Sequence, residues 1–432
     1  MITALEFRDF KNFAEETLRV GPFTVIVGAN ASGKSNIRDA FRFLHGIGRG
    51  YTLADIIGGK YGAGGHVEWE QIRGAANEIS RSGVPGFGLL AYQTSKIEGI
   101  ETEFRYTIWV LTGDRDQRGF RVGAEILESD PIEHIYSSNP LIPGDHLPAR
   151  DDDRNLQLRM ARTGPQTRPG LRVEVRSNQP ALTQLRDDKR VARAHKDQIQ
   201  RIIDLFASMR FLDLAPDRIR QPSFPGQTIL GDSGENLPTV LREICSDPER
   251  RETLTEWTRE LTPMDVRDFE FPIDPISGRV QLLIRDADGR KVSSYSASDG
   301  TLRFLAILAA LLGTDPARLY FFEEIDNGIH PSRLRLLLEL IEGQTAKGGT
   351  QVVTTTHSPE LLGMIGERTF QHTSIVCRLP DTTDAIIRPV SELHNATELR
   401  ESQGLGRLHT AGWMEDALAF TEGRRDEDER HT

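Results

Sequence analysis

The sequence predicts an α/β fold, with one mainly parallel sheet whose two halves are separated by a long insertion. Three features predict it. FTVIVG (23–28) is an apolar, β-branched run ending in glycine, the pattern of a strand buried on both faces. Apolar residues then recur at 37, 40, 41 and 44, the spacing of one helical face. Near the other end, LYFF (319–322), a helix over 331–343 and TQVVTTT (350–356) repeat the strand–helix–strand order.

The remaining elements follow in chain order. Residues 2–8 alternate apolar and polar side chains, as a half-buried strand does. The glycine-rich stretch 46–65 reads as a loop. TEFRYTIWVLT and RGFRVGAEIL flank the polar GDRDQ turn and predict a hairpin within a strand-rich region over 86–130. Residues 137–170, rich in Pro, Gly, Asp and Arg, predict a long loop or mobile insertion. Helices are expected over 180–209, 237–244, 249–261 and 301–312, and a strand at VQLLI (280–284). There is no fixed-period repeat and no heptad run long enough for an extended coiled coil.

Composition narrows the class. The 432 residues allow one large elaborated domain or two. No apolar run approaches the roughly 20 residues that span a bilayer, and the N-terminus has no secretory pattern. A cytoplasmic protein with no membrane partner is therefore expected. Cys245 and Cys377 are two isolated thiols, neither a disulfide framework nor a zinc site, and are expected as buried small hydrophobes. Net charge is −11, yet Arg154 to Arg201 holds twelve Arg or Lys against four acids. That stretch is either a solvated insertion or a contact for a phosphate backbone. The C-terminal GRRDEDERHT has no apolar residue to bury and predicts disorder.

GANASGKS (28–35) matches G-x-x-x-x-G-K-S between an apolar strand and an amphipathic helix. Glycines let the backbone curl so that successive N–H groups face a phosphate, and the helix adds its positive end. Gly28, Ala29, Asn30, Ala31, Ser32, Gly33, Lys34, Ser35 and Asn36 are thus candidate nucleotide-binding residues. Lys34 would reach the β- and γ-phosphates and Ser35 would hold Mg²⁺. In LYFFEEID (319–326), an apolar strand delivers two carboxylates to the sheet edge where such loops sit. Glu323 would then lie near Mg²⁺ and Glu324 would polarise the attacking water. The plainer reading is an acidic helix start.

Three further segments make the chain resemble the ABC-type ATPase heads of the RecF/SMC-like and OLD-like AAA ATPases. SASDGTLRFLAIL (296–308) resembles the LSGGQ signature, with Ser298 and Gly300 on its serine and second glycine and Asp299 and Thr301 departing from it. EEIDNGIHP (323–331) is similar to the block that joins the magnesium motif to the D-loop, with Glu323 where transporters carry aspartate. TTTHSPELL (354–362) ends a strand in His357, which resembles the switch histidine; taken alone, such a histidine is a helix cap or a surface residue.

The resemblance covers about 1–45 and 205–365 well, and 46–204 loosely. It implies an ABC-ATPase head, that is, a P-loop NTPase sheet plus an antiparallel β subdomain, with an α-helical lobe and a basic insertion. The implied division is 1–215, the N-terminal lobe with phosphate loop, β subdomain and basic insertion; 216–300, a helical lobe leading to the signature; 301–400, the C-terminal half of the core; and 401–432, a charged and partly disordered tail. It implies ATP and Mg²⁺ as cofactors. It also implies a homodimer, or higher homo-oligomer, in which two heads sandwich ATP and Ser298 and Gly300 of one cap the γ-phosphate held by the other. Glu324 and His357 would be catalytic, and Ser35 and Glu323 would bind the metal. The Q-loop glutamine is expected at Gln221, with Gln93 the alternative. Lys11 and Asn12 resemble first-strand residues near the nucleotide, or form a solvated turn.

Three purposes fit such a head. One is a DNA-linked motor or sensor of repair or anti-phage defence, with a separate nuclease or effector partner and DNA as a possible ligand. A second is a regulatory dimerisation module with little turnover. The transporter nucleotide-binding subunit is disfavoured by the EEIDNGIHP block, the degenerate signature and the long insertion.

Overall fold

In the computed structural model, which describes residues 1–97, 99–112, 119–130, 133–138, 154–161, 171–262, 264–378 and 383–420, the apolar run Phe23–Val27 is a strand with every residue buried. Burial on both faces is what a continuous β-branched run needs, and a parallel sheet supplies it. The chain divides into two compact units interleaved in sequence. One comprises Met1–Gly21, Gly28–Met209 and Ser374–Pro389; the other comprises Pro22–Val27, Arg210–Thr373 and Val390–Thr432.

The first unit is built on an eight-stranded sheet. Its order is Leu171–Arg176, Asn155–Met160, Glu133–Ser138, Arg121–Ser129, Ile100–Leu111, Gly86–Ile97, Ile2–Phe10 and Phe13–Arg19. Neighbouring strands run antiparallel throughout, as the predicted hairpin requires. Alternate residues such as Phe7, Leu89, Tyr106, Leu127, Tyr136, Leu158 and Val173 are buried on one face. Helix Arg193–Ala207 is packed there, with the Phe206 ring edge-on to Tyr106 at 5.5 Å. Glu125 is fully buried on the same face. It accepts from Tyr106 Oη at 3.0 Å, Tyr136 Oη at 2.8 Å, and the N–H groups of Ala181 (2.6 Å) and Leu182 (2.9 Å). Burial pushes its carboxyl up, against the pull of those four donors.

Two expectations are corrected in this unit. Residues 46–65 are not simply loop: the phosphate-loop helix runs Lys34–Gly48, and a second helix spans Leu53–Gly58. Thr52 and Asp55 start that second helix with a reciprocal capping box. Gly46 and Gly48 serve packing instead of turning. A Cβ on Gly46 would lie 2.7 Å from Ile56, and one on Gly48 would lie 2.4 Å from the backbone nitrogen of Ala207. Nor is 137–170 one long loop, since Asn155–Met160 and the end of Glu133–Ser138 are sheet strands; 139–153 and 162–170 lie outside the described residues.

The second unit holds the parallel core, in the order Met209–Leu212, Leu319–Phe322, Gln351–Thr356 and Phe23–Val27. Registers place Phe322 opposite Thr354 and Thr356 opposite Val27. Helices Asp299–Leu312 and Pro331–Ala346 accompany these strands. The 216–300 segment is not purely helical. Besides Leu237–Ile244 and Pro248–Leu261 it contains a three-stranded antiparallel sheet, Val266–Glu270, Leu283–Asp286 and Lys291–Ser293. The strand expected at 280–284 therefore begins three residues later. Much of the expected charged tail is folded too: Ala396–Gln403 and Leu405–Thr410 are helices, and Leu405, Leu408, Met414 and Leu418 are buried. Residues 421–432 lie outside the described residues.

Both cysteines are free and buried, as expected; burial pushes the Cys245 thiol up to about 12, which leaves it unreactive. Among the described residues no helix is long and apolar enough to cross a membrane. The α/β class with an antiparallel subdomain and helices is the architecture the two units contain.

Candidate functional site

The first unit resumes at Gly28, directly after the strand Phe23–Val27, and the chain curls through Gly28–Gly33 into the helix Lys34–Gly48. Gly28 is obligatory, because a Cβ there would lie 2.1 Å from the carbonyl oxygen of Val376. Gly33 has φ +124°, a conformation open to glycine, and a Cβ on it would crowd Asn12, Phe13 and Ala385 at 3.1–3.2 Å. Ala31 holds φ +62°, a left-handed value without the glycine exemption. Gly33 also offers the helix no side-chain cap, and the first turn contains no acid. A helix start left in that condition is a ready anion site.

Lys34 is buried and folds back over the loop, donating to the carbonyl oxygens of Gly28 and, at 2.8 Å, of Ala29. Ser32 Oγ is buried without a hydrogen-bond partner among the described residues. Ala29, Asn30, Ala31 and Ser35 are exposed. Asn36 Nδ2 donates to Asn12 Oδ1 at 2.6 Å. Lys11 and Asn12 form the turn between Ile2–Phe10 and Phe13–Arg19. That turn is not solvated: Lys11, at φ +54°, is ion-paired with Asp39 and donates to the Arg73 carbonyl at 2.9 Å. Asp39 is 1% exposed and lies one turn beyond Asn36 on the phosphate-loop helix. The turn thus grips the helix at two points.

In the second unit the acidic pair leaves Leu319–Phe322. Register puts Phe322 two residues short of Thr356, so Glu324 arrives level with the end of its neighbouring strand. Its N–H donates to Thr355 Oγ1 at 3.1 Å, its φ is +46°, and its carboxylate stands 3.5 Å from His357 Nδ1. The Glu323 N–H is 3.4 Å from the carbonyl oxygen of Leu212. Asp326, which the sequence reading left unassigned, accepts from Thr356 Oγ1 at 2.8 Å; burial pushes its carboxyl up, and the Thr356 hydroxyl partly offsets that. The TTT run before His357 was the available signal: hydroxyls at a strand end hold the acidic loop.

Ser298 caps the helix Asp299–Leu312, its Oγ accepting from the Thr301 N–H at 3.1 Å. Its hydroxyl is therefore engaged within its own chain. A Cβ on Gly300 would lie 2.6 Å from the Gly328 carbonyl oxygen, so the signature turn and the EEIDNGIHP loop interlock through two glycines. Arg220 fastens the same turn, reaching Asp299 Oδ1 at 2.6 Å and the Ala297 carbonyl at 3.1 Å. Gln221 is exposed and donates to the Asp217 carbonyl at 3.2 Å. Gln93 is buried inside the eight-stranded sheet, paired with Ile2 and Phe104. No cluster of three metal-ligating His, Cys, Asp or Glu side chains occurs among the described residues.

Comparison with known proteins adds the following. The family model described as "AAA domain, putative AbiEii toxin, Type IV TA system" matches residues 23–107 and 185–363. An ATP/GTP phosphatase of Helicobacter pylori is 30% identical over 161 residues, 34% of this chain and 41% of that protein. The chromosome partition protein Smc of Rhodopirellula baltica is 44% identical over 64 residues, 13% of this chain and 5% of that protein. The chain thus spans less than half the length of these curated relatives. Among solved structures, an Smc head bound to the C-terminal winged-helix domain of ScpA matches with a TM-score of 0.48 at 15% identity, covering 90% of this chain and 97% of that one. The SMC head domain from Thermotoga maritima matches with a TM-score of 0.42 at 15% identity, covering 90% and 98%.

Proposed function

The chain belongs to the AAA-domain family described as putative AbiEii toxin, Type IV TA system, and from that premise we propose that it binds ATP with Mg²⁺ and hydrolyses it to ADP and phosphate. The observation that carries this reading is the strand–loop–helix at 23–48: a buried strand, a glycine that admits no side chain, and a helix start with neither cap nor acid. The Helicobacter pylori relative, an ATP/GTP phosphatase, supports the hydrolytic part.

In this reading Lys34 exchanges its carbonyl partners for β- and γ-phosphate oxygens. Ser35 and Glu323 offer the hydroxyl and carboxylate oxygens that suit Mg²⁺, which when bound neutralises phosphate charge. Glu324 accepts a hydrogen bond from the attacking water and polarises it, with His357 beside it to orient the γ-phosphate end. Gln221 completes the set as the Q-loop residue. The finer proposal is a homodimer that sandwiches ATP, in which the helix starting beyond Ser298 and Gly300 of one copy faces the γ-phosphate bound by the other. We place its work in DNA repair or anti-phage defence, in the cytoplasm, with a separate nuclease or effector partner.

The deciding assay is ATP turnover by the purified chain, with and without double-stranded DNA. Turnover should be lost in Lys34→Ala together with nucleotide binding, and lost in Glu324→Gln with binding kept. A Lys34→Ala variant that still binds ATP normally would sink the phosphate-loop assignment. Stimulation by DNA would support the DNA-linked role, and indifference would move the role to a sensor of a protein partner.

A further inference from the structure

At the end of the eight-stranded sheet formed by Asn155–Met160 and Leu171–Arg176, one face is buried and the other is exposed. On its last two strands Leu158, Met160, Val173 and Val175 are buried, while Asn155, Gln157, Arg159, Arg172, Glu174 and Arg176 are exposed. The antiparallel register sets Arg159 directly opposite Arg172. Guanidinium groups stay charged at any working pH, and like charges facing one another across a strand pair are unfavourable. Glu174, between Arg172 and Arg176 on the same strand, accepts from the Asn155 amide and forms no ion pair with either arginine among the described residues. Among the described residues none of Arg159, Arg172 and Arg176 has an ion-pair partner.

Acids outnumber basic residues, 64 to 53, and some arginines nearby are paired with them. On the same face Arg8 meets Glu6 at 2.6 Å and Arg105 is paired with Glu128. Within the basic stretch itself, Arg186 is paired with Asp187 at 2.9 Å and Arg190 with Asp188 at 2.6 Å. Opposed arginines without an ion-pair partner among the described residues repel one another, and an external anion would remove that repulsion.

We propose that this end of the open sheet face, through Arg159, Arg172 and Arg176, binds the phosphodiester backbone of duplex DNA without reading its sequence. Arg172 and Arg176 are four residues apart on one strand, about 13 Å at roughly 3.3 Å per residue. Along a duplex that distance meets several phosphates, at about one charge per 1.7 Å of axis. The fork of each guanidinium matches a pair of phosphate oxygens. The surface extends the DNA-linked reading above, but it requires neither ATP nor turnover. Arg186 and Arg190, each paired with a neighbouring aspartate, lie outside it.

The experiment is fluorescence anisotropy with a labelled duplex of about 20 base pairs, in two unrelated sequences, without ATP, from about 50 to 200 mM salt. The wild type should bind both sequences alike. Arg159→Gln/Arg172→Gln/Arg176→Gln should weaken binding at least about tenfold and reduce the salt slope by about 2 to 3. Arg186→Gln/Arg190→Gln should stay within about twofold of wild type, since those charges are already paired. The triple variant should melt no lower than wild type, because facing like charges have been removed; Arg172→Gln alone, reducing the slope by about 1, serves if it does not fold. A wild type that fails to bind, an unchanged salt slope, or an equal loss in the Arg186/Arg190 variant overturns the proposal. Basal ATP turnover of each variant, measured separately, tells a failure here from a failure of the ATPase reading.

Discussion

Glu324 holds φ +46°, a backbone region that costs a residue with a side chain about 1 kcal/mol or more. It is kept there by the Thr355 hydroxyl on its N–H and by Ile325, buried directly after it. Such strain persists where surrounding contacts over-determine it, and here it carries the carboxylate to His357. Asp326, two residues on, is buried against Thr356. Its raised carboxyl pKa means that the native state holds the proton longer than the unfolded chain. Its contribution to stability is therefore complete below the ordinary carboxylate range and is lost as pH rises through the raised value. Melting temperatures from about pH 4 to 7 should accordingly fall less steeply with pH in Asp326→Asn than in the wild type. At the turn that grips the phosphate-loop helix, Lys11→Met would strand the carboxylate of Asp39, leaving it Arg73 at 3.6 Å. We expect a loss of about 3 kcal/mol, and partial recovery in Lys11→Met/Asp39→Leu, by denaturant or thermal unfolding. A single variant as stable as wild type would show that the pair is dispensable.

At the scale of elements, glycines decide how closely segments approach. Gly300 lies against the carbonyl of Gly328, which ties the first turn of the Asp299–Leu312 helix to the acidic loop. Gly300→Val should displace that loop, costing about 1–3 kcal/mol, and should lower turnover while nucleotide binding survives. Comparing the variant's ATP affinity with its turnover checks this, and equal loss of both would place Gly300 at the nucleotide. The element pattern was readable because periodicity and buried β-branched runs are local signals. The run 23–27, the helix 237–244 and the hairpin after 100 needed no tertiary information. The Gly46–Gly65 stretch misled because glycine marks turns and close packing alike, and only the presence of Ile56 and Ala207 against the helix separates the two. The C-terminal helices were hidden because charge dominated composition there, while Leu405, Leu408, Met414 and Leu418 supplied enough apolar surface to dock.

At the scale of the molecule, the chain contributes one strand, Phe23–Val27, to the parallel core, builds most of the other unit, and returns to the core at Arg210. Val27, the last residue of its strand, pairs with Thr356 in the parallel register. The proposed dimer is tested here. With ATP, Glu324→Gln should double its mass by light scattering and should revert to monomer when ATP is removed, while Lys34→Ala should stay monomeric in both conditions. A Glu324→Gln protein whose mass ignores ATP would exclude the sandwich.

By itself the sequence determined the α/β class, and it supplied the phosphate-loop, acidic and histidine candidates, because each depends on residue types at short, fixed spacing. Tertiary structure decided what long-range pairing controls. The strand register sets Thr356 beside Val27, the buried turn holds Lys11 on Asp39, and Ser298 spends its hydroxyl on its own helix. The same register sets Arg159 against Arg172, thirteen positions away along the chain. Nothing in local spacing encodes which strand lies next to which, so the facing arginines appear only once the sheet has formed.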